Sequence, residues 1–204
     1  MLPTTRSTPT QQRGAERIHL ILDTTAAFLD EVGRDGISTT AIAKRAGSSV
    51  GVIYRYFPNM ASLLNGLAER NAHRYLALLR SELPEDRDDW LNSIDVSIDV
   101  YLSMMELEPG FSTVLFGDSL GTKVTDRNEG NALAQLFAEI LTTKYGFKTT
   151  PDLMFALEVS VEVAEVLIAR AFRFNNVGDT RFISKAREMA RIELSAVPID
   201  TLAA

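Results

Sequence analysis

The sequence lacks residue types on which several classes of functional site depend. It has no cysteine and only two histidines among its 204 residues. Without cysteine there is no disulfide framework, thiolate zinc site, iron–sulfur cluster or cysteine nucleophile. No uncharged apolar run approaches the ~18 residues of a membrane span, and residues 1–13 have no apolar signal-peptide core. We therefore expect a soluble, cytoplasmic globular protein of one large domain or two small ones.

The scarcity of histidine also weakens enzymatic interpretations. His19 and His73 lie far apart in the sequence, each on a predicted helix, and they support no Ser–His–Asp arrangement. The segment GDSLGTK, residues 117–123, ends like a phosphate-binding loop but lacks its glycine spacing. We expect no enzymatic activity, no cofactor and no metal site.

Charge is unevenly distributed along the chain. Residues 1–80 hold ten Lys and Arg against six acidic residues, a net charge of +4, whereas residues 81–204 hold 11 against 21, a net charge of −10. A basic N-terminal part on an acidic body is typical of proteins whose N-terminal part meets a polyanion. Chance clustering explains the same distribution, so charge alone does not decide.

Helical periodicity runs through nearly the whole chain, and no stretch alternates convincingly as a strand. Residues 1–13 are rich in Pro, Thr and Gln and are interpreted as a flexible arm. Residues 14–60 are predicted to form a three-helix domain, 61–84 a connecting helix, and 85–204 a helical C-terminal domain. The predicted fold is all-α, with about nine helices.

The most informative segment runs from Gly36 to Leu64, GISTTAIAKRAGSSVGVIYRYFPNMASLL. Thr39 and Thr40 offer caps for a short helix that Gly47 ends, and Ser48 and Ser49 can cap a second short helix. Two short helices joined by a tight turn have helix-turn-helix proportions, in which the second helix enters the DNA major groove.

Three large residues with polar ends, Tyr54, Arg55 and Tyr56, follow one another on the second short helix. They cannot all be buried, and Tyr and Arg side chains that face outward are good donors to phosphates and base edges. An ordinary helical hairpin with both tyrosines half-buried explains the same pattern, and helix-turn-helix spacing often gives false positives.

The segment closely resembles the N-terminal domain of the tetracycline-repressor (TetR) family of bacterial transcription regulators. The likeness covers about 50 residues, from Arg17 to Leu67. The matching residues are Gly36, Thr39, Thr40, Ile42, Ala43, Ala46, Gly47, Gly51, Tyr54, Tyr56 and Phe57. The resemblance implies a ligand-responsive, sequence-specific regulator, in most cases a repressor that a small-molecule effector releases. It also implies a homodimer that binds the two half-sites of a pseudo-palindromic operator in double-stranded DNA.

The resemblance also implies which residues contact DNA. Threonines and tyrosines are expected at phosphates, and the start of the second short helix at base edges. The expected DNA-binding residues are Arg17, Thr39, Thr40, Ser49, Val50, Gly51, Val52, Tyr54, Arg55, Tyr56 and Asn59. Arg55 stands at a variable position of the family, so its contact is inferred from its own chemistry.

One position departs from the family pattern. Met60 stands where the family usually has a lysine that holds a phosphate, which leaves the backbone N–H groups of that helix start as the anion site. Arginines in or after the arm (Arg6, Arg13, Arg17) are candidates to compensate. The alternative function is therefore a helical protein-interaction module of the same fold that has lost DNA binding.

The segment 153–174 is apolar on almost every face, and such a helix must be covered on all sides. TetR-like proteins dimerise through their last two long helices, so the resemblance implies that a second copy supplies part of this cover. The expected interface residues are Val159, Val163, Val166, Leu167, Phe174, Ile183, Ala186 and Ala190.

An effector cavity is expected among aromatic, methionine and acidic side chains of the C-terminal part. The candidate lining residues are Tyr101, Met104, Met105, Phe111, Phe116, Phe137, Phe155 and Glu158. Each apolar one, taken singly, is also explained as plain core. Glu158, Glu162 and Glu165 recur at helical spacing, either as an acidic wall for a cationic ligand or as a solvated stripe.

Overall fold

The computed structural model describes residues 9–86, 89–112, 132–174 and 177–198. In these ranges the chain forms eight α-helices and one short 3-10 turn, Arg34–Gly36. The helices are α1 (Pro9–Val32), α2 (Thr39–Arg45), α3 (Val50–Tyr56), α4 (Met60–Glu82), α5 (Asn92–Leu107), α6 (Ala132–Tyr145), α7 (Pro151–Phe172) and α8 (Thr180–Ser195). The prediction of an all-α fold is confirmed. Among the described helices, none has the length and apolar content needed to cross a membrane.

Helix α1 begins at Pro9, inside the segment that the sequence pattern predicts as a flexible arm. Proline is favourable in the first turn of a helix because its φ is already helical and its missing N–H is not needed there. Gln11, Gln12 and Arg13 have good helix propensity, so the helix continues through them. Residues 1–8 of the predicted arm, with Arg6, lie outside the described residues.

The described residues form two compact units. The first contains residues 9–74 and 103–112, and the second contains 75–86, 89–102, 132–174 and 177–198. The first unit therefore ends inside α4, after Arg74, and resumes inside α5, after Leu102. The predicted domain boundaries, after residues 60 and 84, lie near the two ends of α4.

The core of the first unit joins α1 to α2, α3 and the start of α4. Its members are buried apolar side chains spaced three or four positions apart on each helix. They include Ile21, Leu22, Ala26, Leu29, Ile42, Ala43, Ile53, Leu63 and Leu67. This core fixes the two short helices, which are too short to be stable alone.

The second unit packs α7 between neighbouring helices. Its buried face carries Leu157, Val161 and Ile168, and α8 presents Ala186, Ala190 and Leu194 at four-residue spacing. Charged groups join α8 to α5. Arg187 donates to the backbone carbonyl of Asp95 at 2.9 Å and to Asp99 Oδ1 at 2.5 Å, and Arg191 Nε donates to Asp95 Oδ2 at 3.0 Å.

Gly110 supports the first prediction, which concerns stability. Its φ is +73°, a Cβ there would lie 3.0 Å from Ala26 Cα, and its N–H donates to Asp30 Oδ1 at 2.8 Å. We expect Gly110→Ala to lower the free energy of unfolding in urea by about 2–4 kcal/mol, because positive φ and a backbone clash both oppose the methyl group. Gly33→Ala is the matched control, since Gly33 has φ +71° and an added Cβ would meet no atom within 4 Å. Equal losses in both variants would contradict a role for the close approach.

Candidate functional site

The turn between α2 and α3 is closed by backbone hydrogen bonds. Ser48 N–H donates to the Ala43 carbonyl at 2.9 Å, and Gly47 N–H donates to the Lys44 carbonyl at 3.3 Å. This pair of bonds is the Schellman pattern at a helix C-terminus, which places one residue in the left-handed region. Gly47, with φ 56°, is that residue. The turn therefore holds α3 at a defined angle to α2.

Serines cap both short helices. Ser38 Oγ accepts from Ala41 N–H at 3.2 Å, and Ser49 Oγ accepts from Val52 N–H at 3.3 Å. The prediction that Thr39 and Thr40 cap α2 was wrong, because Ser38 has the extended backbone that a cap needs and Thr39 is already the first helical residue. Neither threonine hydroxyl is therefore used as the N-cap of α2.

Helix α3 turns one side into the core and the other to solvent. Ile53 is fully buried and Tyr56 packs against the core as a half-buried residue. Tyr54 is 47% exposed, and its hydroxyl lies 3.3 Å from Thr39 Oγ1. Arg55 is exposed beside it. Two hydroxyl groups from different helices thus meet at the surface.

The start of α3 offers a surface with little side-chain bulk. Ser49 and Gly51 are exposed, and Val50 and Val52 are half-buried. A Cβ at Gly51 would have Ser49 Oγ, at 3.9 Å, as its nearest neighbour, so open space lies in front of this glycine. A nucleic-acid base edge could approach the backbone closely there.

Two arginines, one on α1 and one on α2, form hydrogen bonds between separate parts of the first unit. Arg17 donates to the Gly47 carbonyl at 3.4 Å, which links α1 to the turn. Arg45 donates to both carboxylate oxygens of Glu31, one of them at 2.6 Å, and this hydrogen bonding holds the pKa of Glu31 below its usual value. Arg45 is thereby engaged within the protein, whereas Lys44 and Arg55 extend into solvent.

The start of α4 is capped reciprocally. Asn59 Oδ1 accepts from Ser62 N–H at 2.8 Å, and Ser62 Oγ accepts from Asn59 N–H at 3.1 Å. Met60 is half-buried against the core of the first unit. The family's usual lysine charge is therefore replaced here by an apolar contact.

An apolar cavity of about 80 Å³ lies in the second unit, among residues of α5, α6, α7 and α8. Three serines interrupt its apolar wall. The lining residues are Leu83, Trp90, Ser93, Ile94, Ser97, Ile98, Phe137, Ile140, Leu141, Leu157, Ser160, Val161, Ala164, Ala190 and Leu194. Such a wall, apolar with a few polar atoms, is typical of small-molecule sites.

A second cavity, of about 50 Å³, adjoins the first and shares Ser97, Ile98, Phe137, Val161 and Ala164 with it. Its remaining wall includes two tyrosines and one acid: Tyr75, Tyr101 and Glu165. Burial raises the pKa of both phenols, and for Tyr101 the nearby Glu165 charge raises it further. Both tyrosines are therefore neutral at physiological pH.

Comparison with known proteins decides the family. Residues 21–67 match the pattern of bacterial regulatory proteins of the tetR family, and residues 88–197 match the tetracyclin repressor-like C-terminal domain. A TetR-family transcriptional regulator from Streptomyces coelicolor, of known crystal structure, is 35% identical with a TM-score of 0.78, over 89% of this chain and 99% of that one. The chain belongs to the TetR family. It is a transcription regulator with a helix-turn-helix DNA-binding domain.

More distant proteins resemble this TetR-family chain less closely. A TetR-family regulator from Haemophilus influenzae, HI0893, is 19% identical with a TM-score of 0.58, over 89% of this chain and 98% of that one, and shares the fold. The nucleoid occlusion factor SlmA of Vibrio atlanticus is 30% identical over 134 residues, 64% of this chain and 65% of SlmA. The match thus spans slightly less than two thirds of the relative's length.

The predicted cavity residues of this TetR-family chain fall in several places. Tyr101 and Phe137 line the cavities. Met104, Met105 and Phe111 belong to the first unit instead, because the chain leaves the second unit after Leu102.

Two other predicted cavity residues lie on α7 but outside both walls. Phe155 is 65% exposed, since the inner face of α7 is formed by the register of Leu157, Ser160 and Val161. Glu158 is half-buried and lines neither cavity. Phe116 and the segment 117–123 lie outside the described residues.

The predicted dimer residues also divide. Val166 and Phe174 are exposed, and Val159, Val163, Leu167 and Ile183 are half-buried. Ala186 and Ala190 are buried inside their own chain, so their assignment to an interface was wrong, because α8 turns its alanines toward the second unit's own core. The exposed large apolar residues of α8 are Met189 and Ile192.

Sequence reasoning missed Trp90 and the three cavity serines. A signal was present in the pattern. Ser93 and Ser97 stand four positions apart in apolar α5, and Ser160 separates two valines in apolar α7. Small polar residues on otherwise apolar helix faces indicate either close packing or a ligand wall.

Proposed function

We propose that this chain is a sequence-specific, ligand-responsive repressor that a small-molecule effector releases from its operator. The observation that carries the ligand-responsive part is the apolar cavity of the second unit, with its few polar atoms. The DNA-binding part belongs to the first unit, whose exposed α2–α3 surface is rich in hydroxyl groups.

In this proposal α3 enters the major groove with Ser49, Val50, Gly51 and Val52 at base edges. Thr39 and Thr40 on α2, with Tyr54, Arg55, Tyr56 and Asn59, contact the phosphate backbone. The 3.3 Å separation of the Thr39 and Tyr54 hydroxyls would allow one phosphate to accept from both. Because several of these donors are neutral, fewer counterions are released, and we expect a modest salt dependence of binding.

Two copies would pair through the outer faces of α7 and α8. Phe155 and Val166 are 65% and 67% exposed, and their separation of 11 residues places them on one face of α7. Met189 and Ile192 provide apolar surface on α8. A two-fold dimer presents its two α3 helices to two half-sites.

Helix α5 would connect effector binding to DNA binding. Its N-terminal half lines the cavity with Ile94 and Ile98, and its C-terminal end belongs to the first unit. Directly after α5, Glu108 accepts from Arg74 on α4 at 2.6 Å, and Gly110 N–H donates to Asp30 on α1. A ligand that shifts α5 would thus move residues bonded to α1 and α4. Such coupling is typically ~1–3 kcal/mol.

A fluorescence-anisotropy titration tests the DNA part. The probe is the DNA upstream of the protein's own gene, at two salt concentrations, with random DNA as competitor. Tight binding that survives the competitor supports the repressor proposal. Absence of binding to either DNA would favour the protein-interaction module.

Removing single hydroxyls gives the second prediction. We expect Tyr54→Phe and Thr39→Ala each to weaken operator binding by about tenfold in the same assay, because each loses a hydrogen bond to a charged phosphate. The dimer should remain intact by light scattering. Thr24→Ala is the control, since its hydroxyl donates to the Leu20 carbonyl at 2.7 Å within α1. Unchanged affinity in both variants would defeat the assignment.

The SlmA relatives favour a second candidate function, that of a nucleoid occlusion factor that would bind DNA through the first unit of this chain. Chromatin immunoprecipitation separates the two functions. A few sites at promoters support a repressor, whereas many sites spread along the chromosome support the second candidate.

A further inference from the structure

The three serines of the 80 Å³ cavity differ in what their hydroxyl protons do. Ser93 Oγ donates to the Trp90 carbonyl, and Ser97 Oγ donates to the Ser93 carbonyl at 2.5 Å. Both protons are thereby used within the α5 segment. These two hydroxyls keep lone pairs but have no proton left to donate.

Ser160 is different. Its residue is only 7% exposed, it lines the cavity from α7, and its hydroxyl has no hydrogen-bond partner in the described part of the chain. A buried serine in a helix commonly donates to the carbonyl four residues before it, and buried hydroxyls are nearly always satisfied. The unused proton of Ser160 is therefore available to an acceptor on a ligand.

The rest of the cavity wall decides the charge of that ligand. Among the described residues that line the 80 Å³ cavity, none has a side chain that is charged at neutral pH. A buried ion without a partner is strongly unfavourable. The carboxylate of Glu165 belongs to the adjoining 50 Å³ cavity and not to this wall.

We propose that this cavity binds a neutral, largely apolar molecule whose carbonyl or ether oxygen accepts a hydrogen bond from Ser160. The proposal deepens the function given above and rests on it for the cavity's role. It makes Ser160 the specificity-determining residue, because a hydrocarbon of the same shape would leave its proton unpaired.

Three small molecules of similar size, chosen to match the 80 Å³ cavity, test the ligand class on the intact chain: butan-2-one, 2-methylbut-1-ene and propanoate. Trp90, the chain's single tryptophan, lines the cavity and reports binding by fluorescence, with calorimetry as a second measurement. We expect the ketone to bind about 3- to 10-fold more tightly than the hydrocarbon, as one hydrogen bond allows, and the carboxylate to bind most weakly.

Two variants test whether Ser160 donates the hydrogen bond to the ligand. Ser160→Ala should remove the preference for the ketone while leaving hydrocarbon affinity unchanged. Ser93→Ala, whose hydroxyl proton is already used, should keep the preference. If the preference for the ketone persists in Ser160→Ala, the role of Ser160 is overturned. If the carboxylate binds as tightly as the ketone, the proposal of a neutral ligand is overturned. Failure of all three probes to bind overturns the site itself.

Operator binding with each probe present separates this proposal from the repressor proposal. If the ketone binds through Ser160 and leaves operator affinity unchanged, the proposed ligand class is supported, and the proposal that an effector releases the protein from its operator is overturned. If instead the carboxylate releases the operator, effector release stands and the neutral ligand class falls.

Discussion

We expect Gly51→Glu to abolish operator binding, with a loss of about 100-fold or more, while raising the free energy of unfolding by about 0.5–1 kcal/mol. Stability should rise because Gly51 is exposed within α3, a Cβ there meets only Ser49 Oγ at 3.9 Å, and glutamate is the better helix former. Binding should fail because a bulky anion would stand where a base edge is proposed to approach. Fluorescence anisotropy and urea unfolding measure the two effects.

The opposite signs of these two effects make the experiment decisive. Ala77→Glu adds the same charge at an exposed position of α4 in the second unit and should leave operator affinity within about twofold. A folded Gly51→Glu variant that binds operator normally would remove α3 from the DNA interface. A variant that binds poorly because it is unfolded would contradict the open space in front of Gly51.

The second large effect is expected at the proposed dimer face. Val166→Asp should convert the dimer to a monomer, because it places a charge on the exposed apolar face of α7 that also carries Phe155. Operator affinity should fall by about 100-fold or more, since a monomer loses the gain from binding two half-sites at once. Size-exclusion chromatography with light scattering measures the mass in solution.

Leu107→Asp is the matched control for the dimer. Leu107 is 72% exposed, as Val166 is 67% exposed, but it lies in the first unit at the end of α5. The control should remain a dimer. If Val166→Asp stays dimeric while Leu107→Asp dissociates, the interface lies in the first unit and the outer face of α7 has another role.

The helix-turn-helix could be predicted from sequence because its signals are local. Glycine at the turn, hydroxyl side chains near each helix start and apolar residues at helical spacing act over four or five positions, and Gly47 lies at the turn as expected. The cap of α2 is where local reasoning failed. Ser38, Thr39 and Thr40 all have capping hydroxyls, and only the backbone, extended at Ser38, selects one of them.

The surfaces of α7 and α8 show a second feature that sequence patterns could not predict. A helix that is apolar all round, such as α7, does not reveal which face meets its own chain and which meets a partner. Ala186 and Ala190 matched an interface pattern as well as Met189 and Ile192 did. Packing decided between them, because small alanines allow close approach of α8 to its own unit.

The sequence by itself determined an all-helical regulator of the TetR family and the position of its helix-turn-helix, since both depend on contacts between near neighbours in the chain. Only the tertiary structure decided that a cavity exists, and that Ser160 lines it with a hydroxyl that has no hydrogen-bond partner among the described residues. Its wall joins Leu83 to Leu194, across much of the chain. The space left between distant side chains depends on how the helices pack, and sequence periodicity reports only which face of each helix is apolar.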